Sequence, residues 1–172
     1  MRNKLILLLI ALFVLSFQTY SQDVPKGLQV KLMLKILSYD RNFDRFGDPV
    51  KICSNSDSFI KEMNALKGMT IKGKNFTVEK MSSPDDIANY KVIYVGKEWE
   101  SNYATCSEKA AANKSLMFCE TESAVMSGGG GISFKVVAGK PKIVLNNGNV
   151  KSQGTDFPAG FLKITVVVGS MN

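Results

Sequence analysis

The sequence predicts an α/β fold: a single domain with a mostly parallel open sheet flanked by helices, a late antiparallel β-hairpin and a C-terminal helix. Three observations lead there. The runs Val92-Ile93-Tyr94-Val95 and Leu116-Met117-Phe118-Cys119 are continuously apolar, as strands covered on both faces must be. Segments of helical period lie between the strand runs. After Gly128 the apolar spacing changes to alternation, the mark of a half-exposed hairpin. At 172 residues the chain suits one such domain.

Taken in order, Arg2 and Lys4 precede the 11-residue apolar run Leu5 to Leu15, and the polar stretch Ser16 to Ser21 follows. Those are the zones of a secretory signal peptide, with Thr19 and Ser21 before the cut and residues 22–172 as the exported domain. The run falls short of the roughly 20 residues that span a bilayer. No Cys follows it directly, which speaks against a lipoprotein anchor. Residues 1–21 hold two basic residues and no acid, so their removal takes the formal charge from +7 to +5.

Val24 to Tyr39 reads as a helix, with Pro25 in its first turn and Leu28, Leu32, Ile36 and Tyr39 on one face. Asp40 to Asp48 is a polar turn closed by Gly47, and Pro49 to Cys53 is a short strand. Ser54-Asn55-Ser56-Asp57 offers N-caps to a helix over Ser58 to Lys67, which Gly68 ends. Met69 to Met81 reads as a strand interrupted by Gly73, and Ser83-Pro84-Asp85-Asp86 opens a helical turn. Tyr90 to Gly96 is the next strand, Glu98 to Asn113 a crossover helix, and Leu116 to Cys119 another buried strand. Ile132, Phe134 and Val136 alternate with polar partners before Gly139-Lys140-Pro141 turns the chain into Ile143-Val144-Leu145. The tail Phe157 to Val168 fits a strand by propensity and a helix by spacing.

Composition closes off several functions. With no His, the chain cannot build a Ser-His-Asp or Cys-His catalytic set, an imidazole metal site or a histidine pH switch. Three Cys cannot make a four-thiolate zinc site. Single lysines scattered among acids, without an arginine stripe or interleaved aromatics, give no nucleic-acid surface. The expectation is a protein without catalysis and without a cofactor.

Local motifs are weak beside their structural alternatives. Gly128 to Gly131 could cradle an anion, but these glycines precede a strand instead of joining a strand to a helix, so a flexible hairpin entry is expected. Asp40, Asn42, Asp44 and Asp48 have the oxygens of a calcium loop, yet Arg45 and Lys51 occupy its glycine and final acid positions. Ser58 and Lys61 have the Ser-x-x-Lys spacing of penicillin-recognising enzymes without the companion motifs. Asn75-Phe76-Thr77 and Asn113-Lys114-Ser115 are glycosylation sequons. In an open α/β sheet the crevice beyond the strands' carboxyl ends binds ligands, which selects Ser54, Gly96 and Glu120 for a small ligand. Cys53 and Cys119 end strands separated by a third strand, too far apart to pair. Cys106 with Cys119 is the candidate disulfide, provided the crossover helix starts near Asn102.

Val50 to Ser54, Tyr90 to Gly96, Gly129-Gly130-Gly131-Ile132-Ser133-Phe134 and Phe157-Pro158-Ala159-Gly160-Phe161-Leu162-Lys163-Ile164, in this order, resemble the YfiR-like family of exported bacterial proteins, domain of unknown function 4154. Asn146 stands where that family ends its hairpin, and Phe161-Leu162-Lys163-Ile164 where it has a Leu-Leu-Lys-Leu-like stretch. The resemblance covers about residues 28 to 168 and implies a helix over Pro158 to Val168. It also implies a periplasmic regulator that binds the outer portion of an inner-membrane signalling protein, such as a diguanylate cyclase or sensor kinase, and represses it. The chain departs from the family pattern in two places. Ser38 to Phe43 replaces the aromatic stretch after the first helix, and the late cysteine pair is absent. The expected contact surface is the first helix with its following turn, Tyr39, Arg41, Phe43 and Phe46. The alternative is a soluble small-ligand module, and a homodimer stays open in either case.

Overall fold

The computed structural model describes residues 23–169, so the expected signal peptide, residues 1–21, lies outside the described residues. Helix α1 (Lys26–Leu37) leads through a 3-10 turn (Phe43–Phe46) to β1 (Val50–Ser54), α2 (Asp57–Asn64) and β2 (Phe76–Lys80). A second 3-10 segment (Pro84–Asn89), β3 (Val92–Val95), a third (Lys97–Asn102), α3 (Tyr103–Asn113) and β4 (Leu116–Cys119) follow. The chain then forms α4 (Glu122–Met126), β5 (Ile132–Val137), β6 (Lys140–Asn146), α5 (Asn147–Ser152), α6 (Ala159–Leu162) and β7 (Val166–Val168).

The seven strands make one sheet in the order β2-β1-β3-β4-β5-β6-β7. All neighbours are parallel except β5 and β6, whose antiparallel register pairs Ile132 with Leu145 and Val137 with Lys140. This is the predicted α/β class, with the hairpin where the apolar period changes. Alternate strand residues serve opposite faces. Ile52, Tyr94, Leu116, Phe118 and Phe134 pack with α1, α2, Phe157 and Phe161. Cys53, Ile93, Val95, Met117 and Cys119 pack with Ile87, α3 and α4. Both layers exclude water from β3 and β4, all of whose residues are buried, which accounts for their unbroken apolar runs.

Three expectations need correction. The tail is not one helix over Pro158 to Val168: α6 has four residues, and Val166–Val168 pairs in parallel with Val144 to Asn146 as the last strand. The valine-rich propensity prevails because β6 offers an open edge. Met69 to Met81 is not one strand either. Lys72 (φ 48°) and Gly73 (φ 82°) bend the chain so that Ile71 bridges Lys74, and only Phe76–Lys80 joins the sheet. The crossover helix starts late, at Tyr103, after a 3-10 segment in which Trp99 leaves helical geometry (φ −112°, ψ 30°).

That late start was the condition for a Cys106–Cys119 bridge, yet Cys53, Cys106 and Cys119 are all free and buried. Cys119 Sγ lies where a side chain on Gly130 would fall and meets the Gly131 backbone, so its sulfur serves the hairpin entry rather than Cys106. Burial pushes the Cys106 thiol up to about 11 and raises Cys53 and Cys119 further.

Candidate functional site

The strand order reverses direction between β1 and β3, which places the switch point of the sheet between Ser54 and Gly96. The sequence-predicted ligand residues do converge on this edge, but the protein occupies the place itself. Lys26, in the first turn of α1, extends its ammonium to 2.6 Å from Glu120 Oε1 and 2.7 Å from the Tyr94 hydroxyl oxygen. Tyr94 donates its hydroxyl to Gln29 Oε1 at 2.6 Å, and Gln29 Nε2 donates to the Val24 carbonyl at 2.7 Å. The other carboxylate oxygen of Glu120 accepts from the Lys97 amide at 3.1 Å. The Gly96 amide donates to Asn55 Oδ1 at 2.8 Å, which ties the end of β3 to the turn after β1.

Each partner has a local reason. A lysine at a helix N-terminus opposes the helix dipole, and the nearby Glu120 carboxylate offsets that. Both side chains of the pair are only 16% exposed. Tyr94 is stacked on Phe59 of α2 at 3.9 Å between centroids and 10° between planes, so its hydroxyl is aimed at α1. Burial, and then the negative charge of Glu120, hold the Tyr94 phenol far above its usual range, so it acts as a neutral donor. Ser54 is fully buried and accepts from the Ser56 amide at 3.0 Å. Gly96 is hemmed in by Ser56, Glu98 and Glu120, and any side chain there would collide with them. Glu120 borders a cavity of about 140 Å³ on the β5 side. A larger opening on the same edge, about 400 Å³, lies between Tyr103, Ala124, Ser127 and Gly129.

The turn after α1 also differs from expectation. Phe43 and Phe46 are core residues, 2% and 3% exposed and 5.6 Å apart edge to face, so neither is available as a contact surface. Their burial follows from Asp40, whose fully buried carboxylate accepts from the Asn42 and Asp156 amides at 3.0 Å each and pairs with Arg45 at 3.3 Å. Arg45 continues to Thr155 and to the Lys114 carbonyl. Tyr39 and Arg41 are the members that reach the surface, Tyr39 stacked on Phe161 and Arg41 beside Asp156 at 3.6 Å. The candidate calcium oxygens are thus divided among internal bonds. Asp44 and Asp48 lie apart from Asp40's network, Asp44 against Lys74 and Asp48 against the Asn75 amide.

The glycine run is open at Gly128 and packed at Gly130 and Gly131. Asn149 donates to the Gly128 and Gly130 carbonyls at 2.8 Å each, and a Cβ on Gly131 would sit 2.6 Å from the Met117 carbonyl oxygen. Asn146 ends the hairpin by capping α5, its Oδ1 accepting from the Asn149 amide at 3.0 Å. Ser58 shares a hydrogen bond with Ser56 at 3.0 Å, and Lys61 is exposed one turn on. Sequence reasoning missed Lys26, Gln29 and Asn55, because a lone lysine in an apolar helix carries no sign of its partner 94 positions away.

Residues 27–165 match the family described as YfiR/HmsC-like, DUF4154. The chain belongs to that family. Its YfiR/HmsC-like relatives are known as periplasmic regulators. No curated protein matches the sequence. Among solved structures the chain is similar to a conserved domain protein from Vibrio cholerae O1 biovar El Tor, at 16% identity and a TM-score of 0.56. It is similar also to the ABC domain in complex with L-Trp from Streptococcus pneumonia, at 17% identity and a TM-score of 0.55. Each likeness covers 84% of this YfiR/HmsC-like chain and 60% of the other protein, and shows a shared α/β fold. Among the described residues no helix is long and apolar enough to cross a membrane.

Proposed function

We propose that this YfiR/HmsC-like protein is a non-catalytic periplasmic regulator that binds the outer portion of an inner-membrane signalling protein, such as a diguanylate cyclase or sensor kinase, and represses it by stoichiometric contact. Family membership over residues 27–165 supports regulation. The single observation that carries contact over chemistry is the sheet's switch point: Lys26, Tyr94, Gln29 and Glu120 bind one another where an α/β enzyme would place its substrate. The surface offered to the partner is the end of α1, with Tyr39 and Arg41 held in place from beneath by Asp40 and Phe161.

A second reading, a periplasmic small-ligand module, rests on the buried Asn55 Nδ2, which has no acceptor beside the switch point. The L-Trp complex of the Streptococcus domain fits that reading in fold only. Co-purification from membranes tests the first reading. The protein should be recovered with its signalling partner, and the recovery should vanish when the partner's periplasmic portion is deleted. Undiminished recovery would contradict contact regulation.

A further inference from the structure

A groove of about 360 Å³ separates α1 from the turn between α2 and β2. Its floor is apolar: Leu34 and Ile71 are 9% and 3% exposed, and Leu66 closes one end. Met69 forms the lip at 53% exposure, the most exposed large apolar residue on this side of the molecule. Lys31 and Lys35, one turn apart on α1, stand along one rim, and Lys72 stands on the other. No carboxylate lines the groove. Lys72 is engaged with the Asp40 carbonyl at 3.1 Å and Lys35 lies over the Tyr39 ring, whereas Lys31 enters no ion pair among the described residues.

We propose that this groove binds a single-chain anionic amphiphile, an alkyl carboxylate, with its chain over Leu34, Leu66 and Ile71 and its head between Lys31 and Lys35. Two features select that class. Leu34 and Ile71 are recessed, so a flat bilayer surface does not reach them and only a narrow apolar chain can enter. The charged side chains lining the groove are all cationic, so a charge of the opposite sign completes the site. The volume falls at the small end of the range for ligand pockets, roughly 300–1,000 Å³, which suits one chain rather than a helix needing anchors over several turns.

Calorimetric titration of the purified protein with sodium decanoate, below its micelle concentration, tests the proposal. Saturable one-to-one binding is expected, weakening as sodium chloride is raised. Decyltrimethylammonium should bind at least tenfold more weakly. Lys31→Glu combined with Lys35→Glu should weaken decanoate at least tenfold, while Lys151→Glu on α5 leaves it unchanged. All three lysine-to-glutamate changes are at exposed positions, and an unchanged melting temperature in each variant establishes that the fold is kept. The absence of saturable binding, equal affinity for the cationic chain, or association with phosphatidylglycerol vesicles without any binding of monomeric decanoate would overturn it.

Discussion

Lys26 and Glu120 form a nearly buried ion pair at the carboxyl edge of the sheet. Removing one partner of a nearly buried pair leaves the other charge stranded, so Glu120→Gln should lower unfolding stability by about 2 kcal/mol, reduced from the fully buried case by the remaining solvent access. Replacing both, Lys26→Met with Glu120→Leu, should recover most of that loss in urea unfolding, because the desolvation of two charges is removed together. The cysteines make a second residue-scale test. Only thiolates react, and burial raises all three thiols, Cys106 to about 11. In the native protein at pH 8 a thiol reagent such as DTNB should therefore react slowly, and guanidinium should release three equivalents. A mass two units lower, or rapid native labelling, would show a disulfide or an open site instead.

At the scale of elements, the strands were legible where burial alone sets the pattern. Leu116–Cys119 has the bounds its apolar run indicates, and Val92–Val95 lies inside the run predicted from Tyr90 to Gly96. Elements shorter than two turns were not legible: α4 and α5 have five and six residues, too few for a 3.6-residue period to emerge. The tail shows a different failure. Local propensity pointed to a strand, and the family resemblance carried the reading to a helix that ends after Leu162. The glycine run looked flexible because a sequence cannot show what lies within 3 Å of a missing Cβ. Gly131→Ala should cost about 2–3 kcal/mol by pressing on the Met117 carbonyl, whereas Gly129→Ala, whose nearest neighbours are at 3.5 Å, should cost less. Thermal unfolding of the two variants side by side checks this. The capping box at Ser83 gives a pH test. Amides of Ser83 and Ser82 bond to Asp86 and hold its carboxyl below the usual value of 3.8. A carboxyl with a depressed folded value contributes stability that is present above its unfolded value and lost as pH falls through the folded one. Acidification below about pH 4 should thus narrow the stability gap between the native protein and Asp86→Asn, and a gap that widens in acid would refute the assignment.

For the whole molecule, the sheet order was implied by alternating strands and helices, and the placement of Cys53 and Cys119 on strands separated by β3 followed from it. What the sequence left hidden was long-range: the first helix returns to bolt the carboxyl edge through Lys26, and Asp40 draws Phe43 and Phe46 into the core instead of leaving them for a partner. Both features spring from contacts between residues far apart in the chain, where no local period leaves a trace. Together they leave a body whose switch point is filled by its own side chains and whose action, in this account, depends on what its surface touches. Signalling output measured in reconstituted membranes against increasing amounts of this protein tests that most directly. Repression should grow in proportion and level off at one protein per signalling molecule, whereas complete silencing by a small fraction of an equivalent, progressing with time, would mean turnover and contradict it.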